Sequence, residues 1–134
     1  MIQQTGWVTD AADIIPDDVE QRLAAKLARL ERRTLHQVVV VTLPTLADRD
    51  VADVANHLGN TWHVGRAGHN DGVVLLVAPN ERRVRISTAD GMRPLLPDEA
   101  CLQVIEETMI PHFRKGDLSG GIEAGTDALI VHLG

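Results

Sequence analysis

Cysteine, aromatic residues and long apolar runs are all scarce in this chain, and each shortage excludes something. Cys101 is the single cysteine in 134 residues, so no intrachain disulfide can form, and either redox compartment stays open. Trp7, Trp62 and Phe113 are the only aromatic side chains. The core must therefore be aliphatic, and the stacking platforms that hold single-stranded nucleic acid are missing. The net charge of −6 points the same way, because phosphate binding needs clustered Lys and Arg; no nucleic-acid partner is expected. No segment approaches the ~20 apolar residues of a membrane span; the longest runs are Val38 to Val41 and Val73 to Ala78. Met1-Ile2-Gln3-Gln4 lacks the basic and apolar regions of a signal peptide, so membrane association is expected only through segments outside this chain.

What is present reads as one soluble globular domain over residues 1–134, with 44% hydrophobic and 24% charged residues. The acidic balance suits solubility, cation binding or a basic partner, without choosing among them.

Pro16-Asp17-Asp18 opens a helix, with proline and two acids in its first turn, and Val19, Leu23, Leu27 and Leu30 follow at helical spacing. Gln37 to Leu43 reads as a strand buried on both faces, because its valine run is unbroken. A second helix spans about Asp50 to Trp62. After the polar, glycine-rich stretch from Gly65 to Asp71 come two strands, Gly72 to Ala78 and Arg83 to Ser87, folded about Pro79-Asn80-Glu81. The second of these alternates like an edge strand. Pro97-Asp98-Glu99 begins a third helix and Asp117 caps a fourth. The first two strands flank a helix, which predicts a right-handed parallel crossover. The resulting fold class is α/β: a three-layer α/β/α sandwich with a small mixed sheet, Rossmann-like.

That topology brings Asp71 and Asp90 to the same open end of the hairpin. Two facing carboxylates repel unless a proton or cation sits between them. Asn70, and Asp10 and Asp13 if the N-terminal segment reaches this edge, would add oxygen ligands suited to calcium or magnesium. Equally, Asn-Asp-Gly and Asp-Gly are ordinary turn formers. His36 belongs to the same edge, and His69 sits beside Asp71 in sequence, where it could act as an acid or a ligand. Asp48-Arg49-Asp50 resembles a phosphatase Asp-x-Asp nucleophile only superficially. Pro44 and further residues separate it from the strand end, so helix capping explains it better. Cys101 falls on an apolar helix face, Gly65, Gly68 and Gly72 lack phosphate-loop spacing, and Arg82, Arg83 and Arg85 could grip an anion or simply guard an edge.

Several of these stretches resemble the TPM domain family, named after thylakoid-lumen acid phosphatases and related proteins. They are Gly6-Trp7-Val8-Thr9-Asp10, Gln37 to Thr42, Trp62-His63-Val64-Gly65, Asn70 to Ala78, Pro111 to Phe113, Gly116-Asp117 and Gly121-Ile122. The resemblance covers nearly the whole length. It implies an α/β/α sandwich, usually exported and often membrane-tethered by segments outside the domain. It also implies calcium binding in some members and weak acid phosphatase activity in others, and it marks Asp10, Asn70 and Asp71 as loop-site residues. Where the family usually has Gly-x-Gly-x-Glu after the third strand, this chain reads Ala89-Asp90-Gly91-Met92-Arg93. The expectation is a divalent-cation-binding envelope domain serving assembly or regulation, with a protein partner. A purely structural interaction domain and a metal-assisted phosphomonoesterase of low activity are the alternatives.

Overall fold

A run of valines forms the middle of the molecule. In the computed structural model, which describes residues 4–64 and 71–134, strand β2 (Gln37–Thr42) lies inside a four-stranded sheet. Its neighbours are β1 (Val8–Asp10) on one side and β3 (Gly72–Ala78) on the other, both parallel to it. β4 (Arg83–Thr88) closes the order β1-β2-β3-β4, antiparallel to β3. β1 has no counterpart in the sequence reading: at three residues it is too short to show any periodicity.

Alternation along the strands sends side chains into two cores. Val38, Val40, Val73, Leu75 and Ile86 face helix α1 (Asp17–Thr34) and the C-terminal helices. Val39, Val41, Val74 and Leu76 face helix α2 (Val51–Thr61) through Val54, Ala55 and Leu58. The sandwich of three layers is therefore present, and the double burial of β2 follows from it. Fully burying each such side chain contributes about 1.5–3 kcal/mol.

The two crossovers differ in hand. β1, β2 and β3 are parallel and step one way across the sheet, yet α1 covers one face and α2 the other. One of them thus departs from the right-handed rule that nearly all such connections obey.

The third expected helix is more complex than its sequence pattern. It runs as α3 (Asp98–Gln103), a π-helical turn (Val104–Met109) and α4 (Ile110–Arg114). Pro111 supplies the reason, since it has no N–H to give and its ring crowds the preceding turn. The wider turn, with Ile110 N–H reaching Ile105 O, lets the chain pass through the proline without breaking. Helix α5 (Leu118–Leu133) packs against this segment, its start capped by Asp117, whose carboxylate accepts from Gly120 N–H at 3.1 Å.

Candidate functional site

Strand register decides what meets at the end of the sheet where β3 begins. Gln37 pairs with Gly72, so the positions just before them, His36 and Asp71, stand side by side. His36 Nδ1 lies 3.6 Å from Asp71 Oδ2, with the two side chains 20% and 4% exposed. On the other flank Val73 pairs with Thr88, and Ala89 N–H extends the ladder by donating to Gly72 O at 2.9 Å. Asp90 therefore does arrive at the same sheet end as Asp71.

The two carboxylates nonetheless do not face each other. Asp90 opens a short 3-10 turn (Asp90–Met92) anchored by the fully buried Met92. The turn leaves the Asp90 side chain 88% exposed, 3.6 Å from Nε of Arg93, whose side chain is also exposed. Asp71 is drawn inward, Asp90 outward. Asp90 and Arg93 instead line a polar groove of about 340 Å³ between β4 and α2, with Asn56, Asn60 and Ser87. The Ser87 hydroxyl donates to Asn56 Oδ1 within it. Nothing in the sequence pattern announces Asn56 or Ser87, because they meet only through the packing of α2 on β4.

Gly72 is not a turn residue. It is the first residue of β3, and a Cβ there would lie 2.2 Å from Val64 O. The chain leaving α2 crosses directly over it, so only glycine admits the approach.

Asp10 and Asp13 belong to the other end of the molecule. β1 runs parallel to β2 with Asp10 beside Thr42, which carries Asp10 away from Asp71 rather than towards it. There the Asp10 carboxylate accepts from the Thr42 hydroxyl at 2.6 Å and from the N–H groups of Ile14 and Ile15 at 3.1 and 2.9 Å. It is a structural clasp for the turn into α1. Asp13 sits exposed in that turn with a left-handed backbone, φ 56°. Asn70 and His69 lie outside the described residues.

This opposite end is closed by similar clasps. Glu81 Oε2 accepts from Leu46 N–H at 2.7 Å and the Thr45 hydroxyl at 2.9 Å, and the Leu46 N–H above all holds that carboxyl below its usual range. Asp50 caps α2 by accepting from Ala52 N–H at 2.8 Å, the role its distance from the strand predicted. Open α/β sheets bind ligands at the carboxyl ends of strands where the strand order reverses. The order here never reverses. Cys101 is buried, and burial above all pushes its thiol up to about 11, far from a nucleophile.

Among the described residues no group of three or more His, Cys, Asp or Glu is gathered as a metal cage. What the geometry offers is one buried carboxylate, an imidazole beside it and a polar groove alongside.

The model of the TPM domain family matches residues 8–131. The chain belongs to this family. Among solved structures, the N-terminal domain of a protein from P. gingivalis is 32% identical, with a TM-score of 0.90 over 96% of this chain and 82% of that one. The N-terminal domain of cg2496 protein from Corynebacterium glutamicum shares the fold at 14% identity, with a TM-score of 0.75 over 100% of this chain and 84% of that one. So does BA42 protein from the psychrophilic Bizionia argentinensis, at 17% identity and a TM-score of 0.76 over 90% and 82%. Comparison with curated proteins gives no match. This TPM domain thus shares its sandwich with solved structures 14 to 32% identical to it.

Proposed function

We propose that this TPM domain binds a divalent cation where β3 begins, with Asp71 as the anchoring carboxylate, and works as a cation-responsive assembly or regulatory module. The observation that carries the reading is the near-complete burial of Asp71 at a strand start, with its Oδ2 3.6 Å from His36 Nδ1. A carboxylate withdrawn from water is stabilised by positive charge, and hard oxygen ligands at loop–sheet junctions suit calcium or magnesium. Asn70, adjacent in sequence, is the second ligand in this reading, and Asp90, at the same sheet end, an outer one. Export, with tethering through segments outside this chain, belongs to the same reading. Among the described residues no helix is long and apolar enough to cross a membrane.

Calorimetric titration of metal-stripped protein with calcium and magnesium tests it. Binding is expected for the wild type and lost in Asp71→Ala; a variant that binds as well as the wild type overturns the assignment. One observation favours a second reading as a weak metal-assisted phosphomonoesterase: Arg93 lines the groove with Asp90, where a guanidinium can hold phosphate. Turnover of a phosphomonoester that survives purification and falls in both Arg93→Ala and Asp71→Ala would establish that reading instead.

A further inference from the structure

β4 is an open edge, and the bonding pattern fixes what it offers. Ala89 N–H bonds Gly72 O, so the hydrogen-bonded positions facing β3 are Ser87, Arg85 and Arg83. The alternate residues Val84, Ile86 and Thr88 therefore turn their backbone N–H and C=O outward. Among the described residues no fifth strand covers them. The edge runs into an apolar groove of about 480 Å³ beside the hairpin turn, floored by Val84, Ile110 and Phe113 and rimmed by Arg82, Arg83 and Arg114. Those three arginines and Arg85 are all exposed, and among the described residues none of the four is in an ion pair. In a chain of net charge −6, Arg83 and Arg85 set two positive charges on one face of this strand, and Arg82 and Arg114 flank its start.

We propose that the β4 edge takes up an extended, acidic, apolar-alternating peptide as a fifth strand. Its backbone pairs with Val84, Ile86 and Thr88, one apolar side chain enters the groove over Phe113, and its carboxylates, on the opposite face, meet Arg83 and Arg85. Strand addition draws affinity from main-chain hydrogen bonds and selectivity from alternate side chains. Charge complementarity selects the occupant. A second copy of this chain pairing through β4 would set two sets of arginines on one face, and like charges across a strand pair are unfavourable. Arginines also guard edges against aggregation, but a guard needs no apolar groove continuous with the edge.

The test is titration of nitrogen-15-labelled protein, in EDTA, with a peptide of sequence Glu-Val-Glu-Val-Glu-Leu. Its lysine counterpart and a version with a central proline serve as controls. EDTA makes the result independent of any cation at Asp71. Expected are amide shifts centred on Val84, Ile86 and Thr88, and affinity at least roughly tenfold lower for both control peptides. Two variants should weaken binding similarly. The exposed double change Arg83→Glu with Arg85→Glu reverses the charge. Val84→Pro removes one outward N–H and leaves the β3 pairing intact, and its fold is checked by circular dichroism. Equal binding of the lysine peptide, shifts centred elsewhere, or indifference to the charge reversal overturns the proposal. So does a dimer formed without peptide, or binding to vesicles rich in phosphatidylglycerol with none to the peptide.

Discussion

At the scale of single residues, two kinds of conspicuous side chain separate. Asp10 reads in sequence as an added ligand beside Asp71, yet its carboxylate is consumed by Thr42, Ile14 and Ile15. Thr42→Val should therefore cost about 1–2 kcal/mol, read as a lower midpoint in urea, because it leaves a partly buried carboxylate short of a donor. Gly72 reads in sequence both as the start of a strand and as the end of an Asn-Asp-Gly turn signature. Its real constraint is the Val64 carbonyl 2.2 Å from where a Cβ would stand, a backbone atom that cannot swing aside. Gly72→Ala should lose about 3 kcal/mol or more, with the strand start disturbed, in the same unfolding measurement. The mismatch is physical: a glycine needed for close approach and a glycine needed for a turn look identical in one sequence. For Cys101 the apolar helix face was readable and the consequence follows. With its thiol pushed up to about 11, it is protonated in the native state at pH 8, so a thiol reagent should react slowly until denaturant is added. Fast reaction of folded protein would contradict its burial.

At the scale of elements, what could be read was whatever carried a period or a cap. α1, α2, β2, the β3–β4 hairpin and the α5 cap all sit where the leucine spacing, the valine run and the Asp50 and Asp117 signals placed them. What could not be read had no period. β1 is three residues long, and its parallel direction is what moves Asp10 to the far end of the sheet. The π-helical turn before Pro111 and the close seam of α5 are tertiary events. In that seam a Cβ on Gly121 would come 2.5 Å from Phe113 Cε1, and one on Gly125 would come 2.6 Å from Met109 Sδ. The two glycines, one helical turn apart, let α5 approach the helix that the proline has widened. Their neighbours differ in compliance. The Met109 thioether chain can move, whereas a Cβ on Gly121 also meets the Met109 backbone carbonyl, 3.0 Å away, which cannot swing aside. Gly121→Ala should thus cost more than Gly125→Ala, by about 1 kcal/mol, in paired thermal melts. Equal losses would mean that both neighbours yield alike.

At the scale of the whole molecule, the sheet divides the protein into two cores, and the larger one is held shut from outside by charge. Glu123 on α5 accepts from Arg22 at 2.7 and 2.9 Å and from Lys26 at 3.1 Å, both on α1, while Lys26 also reaches Asp127 at 2.9 Å. The Arg22 hydrogen bond above all draws the Glu123 carboxyl down to about 2. A folded-state value below the unfolded one means that the unfolded chain binds the proton first, so stability falls as pH falls. The contribution is fully present above the ordinary carboxylate range near 4.5 and is lost as pH drops towards 2. Glu123→Gln removes the charge at every pH. Its deficit against wild type should then be about 1 kcal/mol at neutral pH and modest salt, because the network stays partly solvated. That deficit should shrink below pH 4.5 and close near pH 2. Urea unfolding of both proteins across that range measures it directly. A deficit that stays constant with pH would show that the side chain matters through packing between α1 and α5, and that the charges across them add nothing. The same titration bears on the Asp71 end, which has no share in this network. A calcium-dependent rise in stability that persists in Glu123→Gln and vanishes in Asp71→Ala would separate the clasp between α1 and α5 from the site proposed to respond to a cation.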